Sequence, residues 1–466
     1  MASASPHDGS KDRPQGWTRR TLLGAMAAGA AGFAAFGPRG ARTRAEGRIV
    51  LDYWEKWTGH EGAAMQAVVD EFNESQSRIL VRYLVTAGID QKSMIAIAGG
   101  DPPDVLGLYN YNIPLFAETG ALLPLDEGDG SAAIPPLEAY AEAIRPLLTH
   151  PDRTGRSRRW ACPNTGGALA LYYNKAMFAQ AGLDPTRPPA TLEQLADMSA
   201  RLDASRDGLY TRLGFTPTEP GWWPWAWGAY FGATLTDPSA RRARVDSPEH
   251  AAAFGWIRQT AARLGPERIN AFGSGWGNSY DSINNAFLAG QVAMVLQGPW
   301  LASVINAHNP DLDYGVVPFP VPASIAQGPP VGLVESDMLC IPRGVRHPEA
   351  SMEFIAFTQQ PRIVERLSTA HFKNSVLAGV SPEFVAKHPN RGVAVFNAVA
   401  NSTRGFHAAR TRQFPQIRSK MGSLFPKVWN TDTPVEELLK GANAEVQSLL
   451  VLEHEQKARR GWGSGA

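Results

Sequence analysis

The sequence predicts an α/β fold in two domains, each a largely parallel sheet flanked by helices. Two domains follow from a length of 466 residues, more than one hydrophobic core normally serves. The parallel sheets follow from an orderly alternation of apolar runs and helical patterns, which begins near Ile49 and resumes, after a basic loop, near Gly167. Sheets of this kind bind ligands beyond the carboxyl ends of their strands, so strand ends are where site residues are sought.

The elements justify this in order. Residues 49–53 form a strand-like run, followed by Met65, Val68, Val69 and Phe72 at the i, i+3, i+4, i+7 spacing of an amphipathic helix. Residues 79–85 are a second strand, and 93–98 a helical segment closed by Gly99-Gly100, since glycine takes the left-handed cap without steric cost. A third strand covers 104–109, and a helix 113–118 ends at Gly120. The basic run Arg153, Arg156, Arg158, Arg159 between Pro151 and the second unit is a solvated loop rather than an anion site. A strand at 167–173 and a helix at 175–181 follow; Thr191 and Gln194 then form a capping box ahead of Leu195, Met198 and Leu202. Ser247-Pro248 starts a helix that runs to Leu264, with proline where its missing N–H does no harm. Residues 281–289 are predicted as a helix closed by Gly290, 291–296 as a strand, 314–319 and 337–341 as further strands, and 348–369 as one helix. The chain from Pro382 is mainly helical, with a flexible tail at 459–466.

Composition excludes several functional classes. Lys and Arg total 45 against 44 acids, so no global charge draws the chain to nucleic acid or an anionic membrane surface. Cys162 and Cys340 are the only cysteines, too few for a disulfide framework, a four-cysteine zinc site or an iron–sulfur cluster; one disulfide or two separate buried thiols are both open. No HExxH, Walker loop, GxSxG or GxGxxG occurs, and the glycines at 273–277 lack the spacing of a dinucleotide loop, so neither a metal, a cofactor nor a catalytic residue is expected. The first 45 residues stand apart: Thr18-Arg19-Arg20-Thr21-Leu22-Leu23 precedes an uncharged Ala/Gly-rich run, a pattern that resembles the twin-arginine export signal, with a general secretory signal as the alternative. Thr43-Arg44-Ala45 places the mature start near Glu46, and no nearby cysteine offers a lipid anchor.

The segment 218–231, TEPGWWPWAWGAYF, carries four of the 13 tryptophans within six positions. Tryptophan offers a rigid apolar face with an N–H at its edge, which serves core packing and ring recognition equally. Gly221 and Pro224 punctuate the run, so it reads as a loop feeding a helix, and loops carry function more often than the elements they join. Glu219 with Trp222 and Trp223 sets a planar acceptor beside flat apolar faces, a pairing that suits recognition of a polar ring. Trp225 and Trp227 are assigned to packing. At strand ends, Trp57 and Glu61 follow the first strand and Tyr109 and Asn110 close the third, all on the side where a ligand would lie. Asp104 is expected to cap backbone amides, and the adjacent tyrosines Tyr172 and Tyr173 point to opposite faces of a strand and pack rather than hold iron.

The order of several phrases then becomes recognisable. Val68-Val69-Asp70-Glu71-Phe72-Asn73, Gly99-Gly100-Asp101-Pro102-Pro103-Asp104-Val105 and Gly120-Ala121-Leu122-Leu123-Pro124-Leu125-Asp126 resemble the N-terminal lobe of family 1 extracellular solute-binding proteins. Tyr173-Asn174-Lys175, Ala181-Gly182-Leu183 and Thr191-Leu192-Glu193-Gln194-Leu195 are similar to the start of that family's second lobe, and Phe287-Leu288-Ala289-Gly290-Gln291-Val292-Ala293-Met294 with Gly298-Pro299-Trp300 to its most specific segment. The resemblance implies the two-lobed periplasmic binding protein fold, with hinge strands near 162–165, 318–331 and 368–376. It places the N-terminal lobe at 46–162 plus 331–370 and the C-terminal lobe at 163–330 plus 371–458. It implies a monomeric, non-enzymatic receptor outside the cytoplasm that closes around a carbohydrate and delivers it to the permease subunits of an ABC importer. A glycerol phosphodiester is the alternative ligand, and an exported carbohydrate-active enzyme the alternative class. The resemblance also adds Trp300 as a stacking aromatic, Asn164 and Thr165 as polar groups at the first hinge, and Arg410, with Arg412 beside it, as a donor from the last segment.

Overall fold

Strand ends and one long antiparallel strand decide where the ligand cleft can form. The computed structural model describes residues 47–128, 130–273, 280–459 and 461. The predicted export signal, the cleavage position, the core of the 273–277 loop and most of the tail lie outside the described residues. From Val50 onward the described chain packs as one unit.

The first three strands are β1 (Ile49–Glu55), β2 (Ile79–Val85) and β3 (Val105–Tyr109), with β1 and β3 parallel and Tyr53 opposite Val105. Helix Gly59–Ser75 buries Met65, Val68, Val69 and Phe72, the stripe read from the sequence. Asp104 caps as expected: its Oδ2 accepts from Asp52 N at 2.8 Å. A hairpin, β4 (Thr149–Pro151) and β5 (Ser157–Arg159), precedes β6 (Cys162–Ala168) and β7 (Ala170–Asn174); a second hairpin is β8 (Ala204–Arg206) with β9 (Leu209–Arg212). The remaining strands are β10 (Met294–Gln297), β11 (Tyr314–Val317), β12 (Gly332–Cys340) and β13 (Gly405–Phe406). The larger sheet runs β13-β12-β3-β1-β2, and β6 also pairs with β12. The smaller sheet is β10-β7-β11.

Strand direction departs from the parallel expectation. In the larger sheet β12 runs antiparallel to both β3 and β6. In the smaller sheet β7 is antiparallel to both neighbours. The cause is insertion: β10, helix Leu301–His308 and β11 form the strand–helix–strand unit that the alternation signals, but β7 lies between the two strands and runs against them. Two helical assignments are also corrected. Residues 281–289 form turns, because Asn285 takes local backbone partners: its Nδ2 donates to Tyr280 O at 3.0 Å and its Oδ1 accepts from Phe287 N at 3.0 Å. The helix over 348–369 is two, Pro348–Thr358 and Pro361–Ala370, because the residue before a proline resists helical geometry.

Packing settles the tyrosine and cysteine alternatives. Tyr172 and Tyr173 are buried and donate to the carbonyls of Gly298 and Pro185. Cys162 and Cys340 are both buried free thiols; Cys162 sits opposite Leu339, so Cys340, one residue on, projects from the other face. Trp225, Trp227 and Tyr230 join one hydrophobic cluster with Phe254, Met421 and Trp429. A second cluster gathers Leu106, Phe116, Tyr140, Tyr172, Phe287 and Phe396.

Helix Ile113–Thr119 is tied to the C-terminal helix Val435–Arg459 through the buried Glu118, which meets His150 Nε2 at 2.8 Å and Lys457 Nζ at 2.7 Å. Burial alone would raise the Glu118 pKa; His150 and Lys457 outweigh it and hold the carboxyl below its ordinary range. Lys457 also keeps Glu453 at 2.6 Å, so removing Glu118 does not leave that ammonium alone. Glu118→Leu is therefore expected to cost about 2 kcal/mol, less than the loss of an isolated buried pair, seen as a lower denaturant midpoint with an unchanged m-value.

Candidate functional site

A cleft of about 810 Å³ opens at the carboxyl ends of β1 and β3. β1 delivers Lys56 and Trp57, β3 delivers Tyr109, Asn110 and Tyr111, and β12 contributes Glu335, Ser336 and Asp337 as it crosses. The facing wall is aromatic: Trp222, Trp223 and Trp300, with Tyr280 beside them. These rings hold each other, Trp222 lying edge-on to Tyr280 at 4.9 Å and to Trp223 at 5.4 Å. Trp300 is seated by two glycines, since a Cβ at Gly167 or Gly298 would come within 2.8 or 2.3 Å of its ring. On the first wall Tyr109 stacks on Tyr111 at 5.3 Å and 7°.

The floor is a chain of alternating charges. Asp337 accepts Lys56 Nζ at 2.9 Å, Lys373 Nζ at 3.3 Å and the Thr165 hydroxyl at 2.8 Å. Lys56 also meets the fully buried Glu55 at 3.0 Å, and Lys373 meets Glu61 at 3.0 Å. Both ammonium groups lie over rings, Lys56 over Tyr109 at 4.5 Å and Lys373 over Trp57 at 5.4 Å. The arrangement offers flat apolar faces on two sides and dense, mutually paired hydrogen-bonding groups below.

Known proteins match this chain across most of its length. The profile of the family "Bacterial extracellular solute-binding protein" matches residues 56–363. The chain belongs to that family. Among similar relatives, the sn-glycerol-3-phosphate-binding periplasmic protein of Pectobacterium atrosepticum is 23% identical over 426 residues, 86% of this chain and 91% of the relative. The maltotriose-binding protein of Pyrococcus abyssi is 21% identical over 329 residues, 69% of this chain and 65% of the relative. A solved structure of CpMnBP1 with mannobiose bound superposes with TM-score 0.70 at 24% identity, covering 86% of this chain and 100% of that one. The cyclic α-maltosyl-1,6-maltose binding protein from Arthrobacter globiformis gives 0.69 at 20% identity, covering 87% and 99%. The two-lobed α/β fold read from the sequence is thus the fold of this solute-binding protein, and its place of work is outside the cytoplasm. Among the described residues no helix is long and apolar enough to cross a membrane.

Of the residues singled out in the sequence, seven line the cleft of this solute-binding protein: Trp57, Glu61, Tyr109, Asn110, Trp222, Trp223 and Trp300. Trp222 and Tyr109 are the exposed rings, at 37% and 39%. Asn110 is buried and its Oδ1 accepts from Ser336 N at 3.2 Å, so it fixes β12 as much as it faces the cleft. Four lie off the lining. Thr165 is buried behind Asp337, which it holds by the hydrogen bond described above. Asn164 is buried and donates to the Tyr53 hydroxyl at 3.2 Å. Glu219 sits on the half-buried loop ahead of the tryptophans, outside the lining. Arg410 lies in a separate depression beside His150 and Lys457 and donates to Thr149 O at 2.5 Å, because the segment before helix Phe414–Asn430 runs behind the cleft. Arg412 stands 3.8 Å from Glu118 in the same region.

Sequence reasoning missed Lys56, Tyr111, Tyr280, Glu335, Asp337, Lys373 and Arg418, which also line the cleft. Glu335 and Asp337 did leave a signal: GLVESDMLC places two acids at alternate positions, with Ser336 between them, in a strand whose ends are apolar, so one face must meet something polar. Lys373 leaves none, since nothing local marks it.

Burial would raise the Asp337 pKa, but Lys56 and Lys373 together hold it well below the carboxylate range. Both lysines are raised in turn: burial lowers each, and Asp337, with Glu55 for Lys56 and Glu61 for Lys373, more than reverses it. Asp337→Asn would leave two largely buried ammonium groups without their shared anion. The expected loss is on the order of 3 kcal/mol in chemical denaturation; a loss under about 1 kcal/mol would mean that these charges are solvated.

Glu335 behaves differently. Burial pushes its carboxyl up to about 7; Arg418 and a hydrogen bond from Trp223 restrain the rise, and Asp337 adds to it. A raised folded-state value means that the stabilising contribution is complete below the ordinary carboxyl range and disappears as pH rises through about 7. Glu335→Gln should therefore melt above wild type by a margin that widens between about pH 5 and pH 8. A constant margin would place the carboxyl in water.

Proposed function

We propose that this protein is the substrate receptor of an ABC importer and that its cleft takes a neutral sugar or oligosaccharide for delivery to membrane permease subunits. The observation that carries the reading is the pairing of two aromatic walls with a floor whose two ammonium groups are each held by two carboxylates. Pyranose C–H faces stack on such rings, and hydroxyls exchange water for fixed donors and acceptors. A phosphodiester ligand would need cations free to meet it. Lys56 and Lys373 are instead bound to Glu55, Asp337 and Glu61, which leaves Arg418, over the Tyr111 ring at 5.7 Å, as the guanidinium such a ligand would have to use. The names of several relatives and neighbours refer to maltotriose, mannobiose and a cyclic maltosyl-maltose, which supports the carbohydrate class.

In this reading the lobes, drawn at 46–162 plus 331–370 and 163–330 plus 371–458, close about the hinge strands once ligand lies between the walls. Export follows the twin-arginine type of signal in the first 45 residues, and the mature protein acts as a monomer without metal or cofactor.

A thermal-shift panel of sugars and glycerol phosphodiesters, with product formation followed in the same wells, tests this. The expected outcome is a raised melting temperature with a sugar that stays intact. Trp57→Ala, Trp223→Ala and Trp300→Ala are each expected to weaken that sugar about tenfold, one stacked ring's worth. A larger shift with a phosphodiester would move the ligand to the alternative class. Hydrolysis of the sugar would overturn the receptor reading.

A further inference from the structure

A second depression, of about 820 Å³, lies away from the cleft and shares no lining residue with it. Three pieces of chain frame it: the β4–β5 hairpin, the loop at 238–241 and the last turns of helix Val435–Arg459. Arg410 enters it from the segment ahead of helix Phe414–Asn430. The charges around it are not alike. Lys457 is held by Glu118 and Glu453, Glu455 meets Arg459 Nη2 at 3.7 Å, and Asp152 Oδ1 closes its own turn by accepting from Thr154 N at 2.8 Å and Arg156 N at 3.1 Å. Arg410 has no such partner. Its Nη2 donates to the Thr149 carbonyl, its Nε and Nη1 are neither hydrogen-bonded nor sealed from solvent, and no carboxylate among the described residues reaches it. Burial lowers its pKa with no acid to offset the fall.

A guanidinium drawn out of water costs free energy unless acceptors meet it. Arg159, also without a carboxylate, spends all three nitrogens, Nε on Ala161 O, Nη1 on Pro135 O and Nη2 on the Tyr140 hydroxyl. Arg410 spends one. That single bond pins the fork before any ligand arrives, and the planar donors left over match two oxygens of one oxyanion. A second cation stands at the rim: Arg241 is exposed, and its loop is fixed by Asp237 Oδ1, which accepts from Arg241 N at 2.7 Å and Arg242 N at 3.0 Å. His454 Nε2 meets Ala240 O at 3.3 Å and ties the same loop to the last helix. We propose that this depression is an oxyanion site that takes a phosphate group, with Arg410 as its central donor and Arg241 as the second cation. Two cations favour a dianion over a single carboxylate, and the space exceeds what a free phosphate fills, so a phosphate monoester is accommodated as well. The site is independent of the cleft and stands whatever the cleft binds. A phosphate seated there bridges the hairpin, the loop and the segment leading to helix Phe414–Asn430, so its binding stabilises the fold.

The test is isothermal titration calorimetry of the full-length mature protein with inorganic phosphate, methyl phosphate and acetate at constant ionic strength, with chloride as the blank. One saturable phosphate per chain is expected, with acetate weaker. Methyl phosphate binding as well as the free ion identifies a monoester as the ligand's source; binding of inorganic phosphate alone identifies the free ion. Arg410→Gln is expected to weaken phosphate about tenfold or more, and Arg410→Lys, which keeps the charge and loses the fork, to recover only part of that loss. Arg241→Gln changes an exposed side chain, where the fold is not at stake, and is expected to weaken phosphate about threefold. Arg418→Gln, in the cleft, is expected to leave phosphate affinity unchanged. The proposal is overturned if phosphate gives no saturable heat beyond the chloride blank, or if acetate binds as tightly as phosphate. It is equally overturned if Arg418→Gln abolishes binding while Arg410→Gln and Arg241→Gln keep it, which would put the anion in the cleft.

Discussion

Asp337 is the group on which the cleft depends. It lies where β12 pairs with β3 on one side and β6 on the other, opposite Tyr109 and Thr165 respectively. Its two oxygens collect Lys56 from the end of β1, Thr165 from β6 and Lys373 from the segment after helix Pro361–Ala370. Four separated pieces of chain are thereby fixed through one carboxylate. The pairing register shifts between Asp337 and Met338, and such an irregularity in a strand turns a side chain toward a site it would otherwise miss. A carboxylate and two ammonium groups this far out of water are tolerable only together, so the floor is conserved in shape by electrostatics rather than by apolar packing.

That ion-paired floor explains the division of labour in the site. With the lysines committed to acids, affinity for an uncharged ligand must come from the rings above them and from hydrogen bonds that are already oriented. Trp57 illustrates both roles: it is buried, lies edge-on to His371 at 4.5 Å and carries Lys373 over its face, so its position is set before any ligand arrives. Glu335, on the same strand as Asp337 but facing Arg418 and Trp223, has its carboxyl pushed up to about 7 by burial. Two acids two residues apart therefore differ because one is surrounded by lysines and the other by a ring and a single guanidinium.

Much of the fold was legible because it is local. Apolar periodicity marks helix Gly59–Ser75 by the same residues that end up buried, and the Thr191 cap forms, its hydroxyl accepting from Gln194 N, while Gln194 Oε1 accepts from Ala190 N, one residue ahead of the reciprocal bond of a capping box. Strand direction was not legible, since β7 has the composition of any buried strand and only tertiary pairing inserts it between β10 and β11. The site divides in the same way. Trp57, Tyr109 and Asn110 follow strand ends, and that rule found them. Lys373 and Arg418 reach the cleft from helical neighbourhoods far along the chain, and no local pattern distinguishes them from solvated charges. Arg410 shows the converse: a basic residue in a suggestive segment is carried to another depression by the course of the backbone.

The tryptophan segment shows how one local break separates binding from packing. Pro224 opens the 3-10 helix Pro224–Phe231, leaving Trp222 and Trp223 ahead of it on the loop that faces the cleft. Trp225 and Trp227, inside the helix, turn to the core, Trp225 edge-on to Phe414 at 5.0 Å and Trp227 against Phe319 at 5.7 Å. Of the two ahead of the helix, Trp223 is only 9% exposed and leans on Trp300 at 6.2 Å, while Trp222, 37% exposed, lies edge-on to Trp223 and borders the cleft. Four adjacent aromatics of one type therefore differ in role through a single proline that sets where the helix begins, and a shift of that start by one residue would exchange a ring of the wall for a ring of the core.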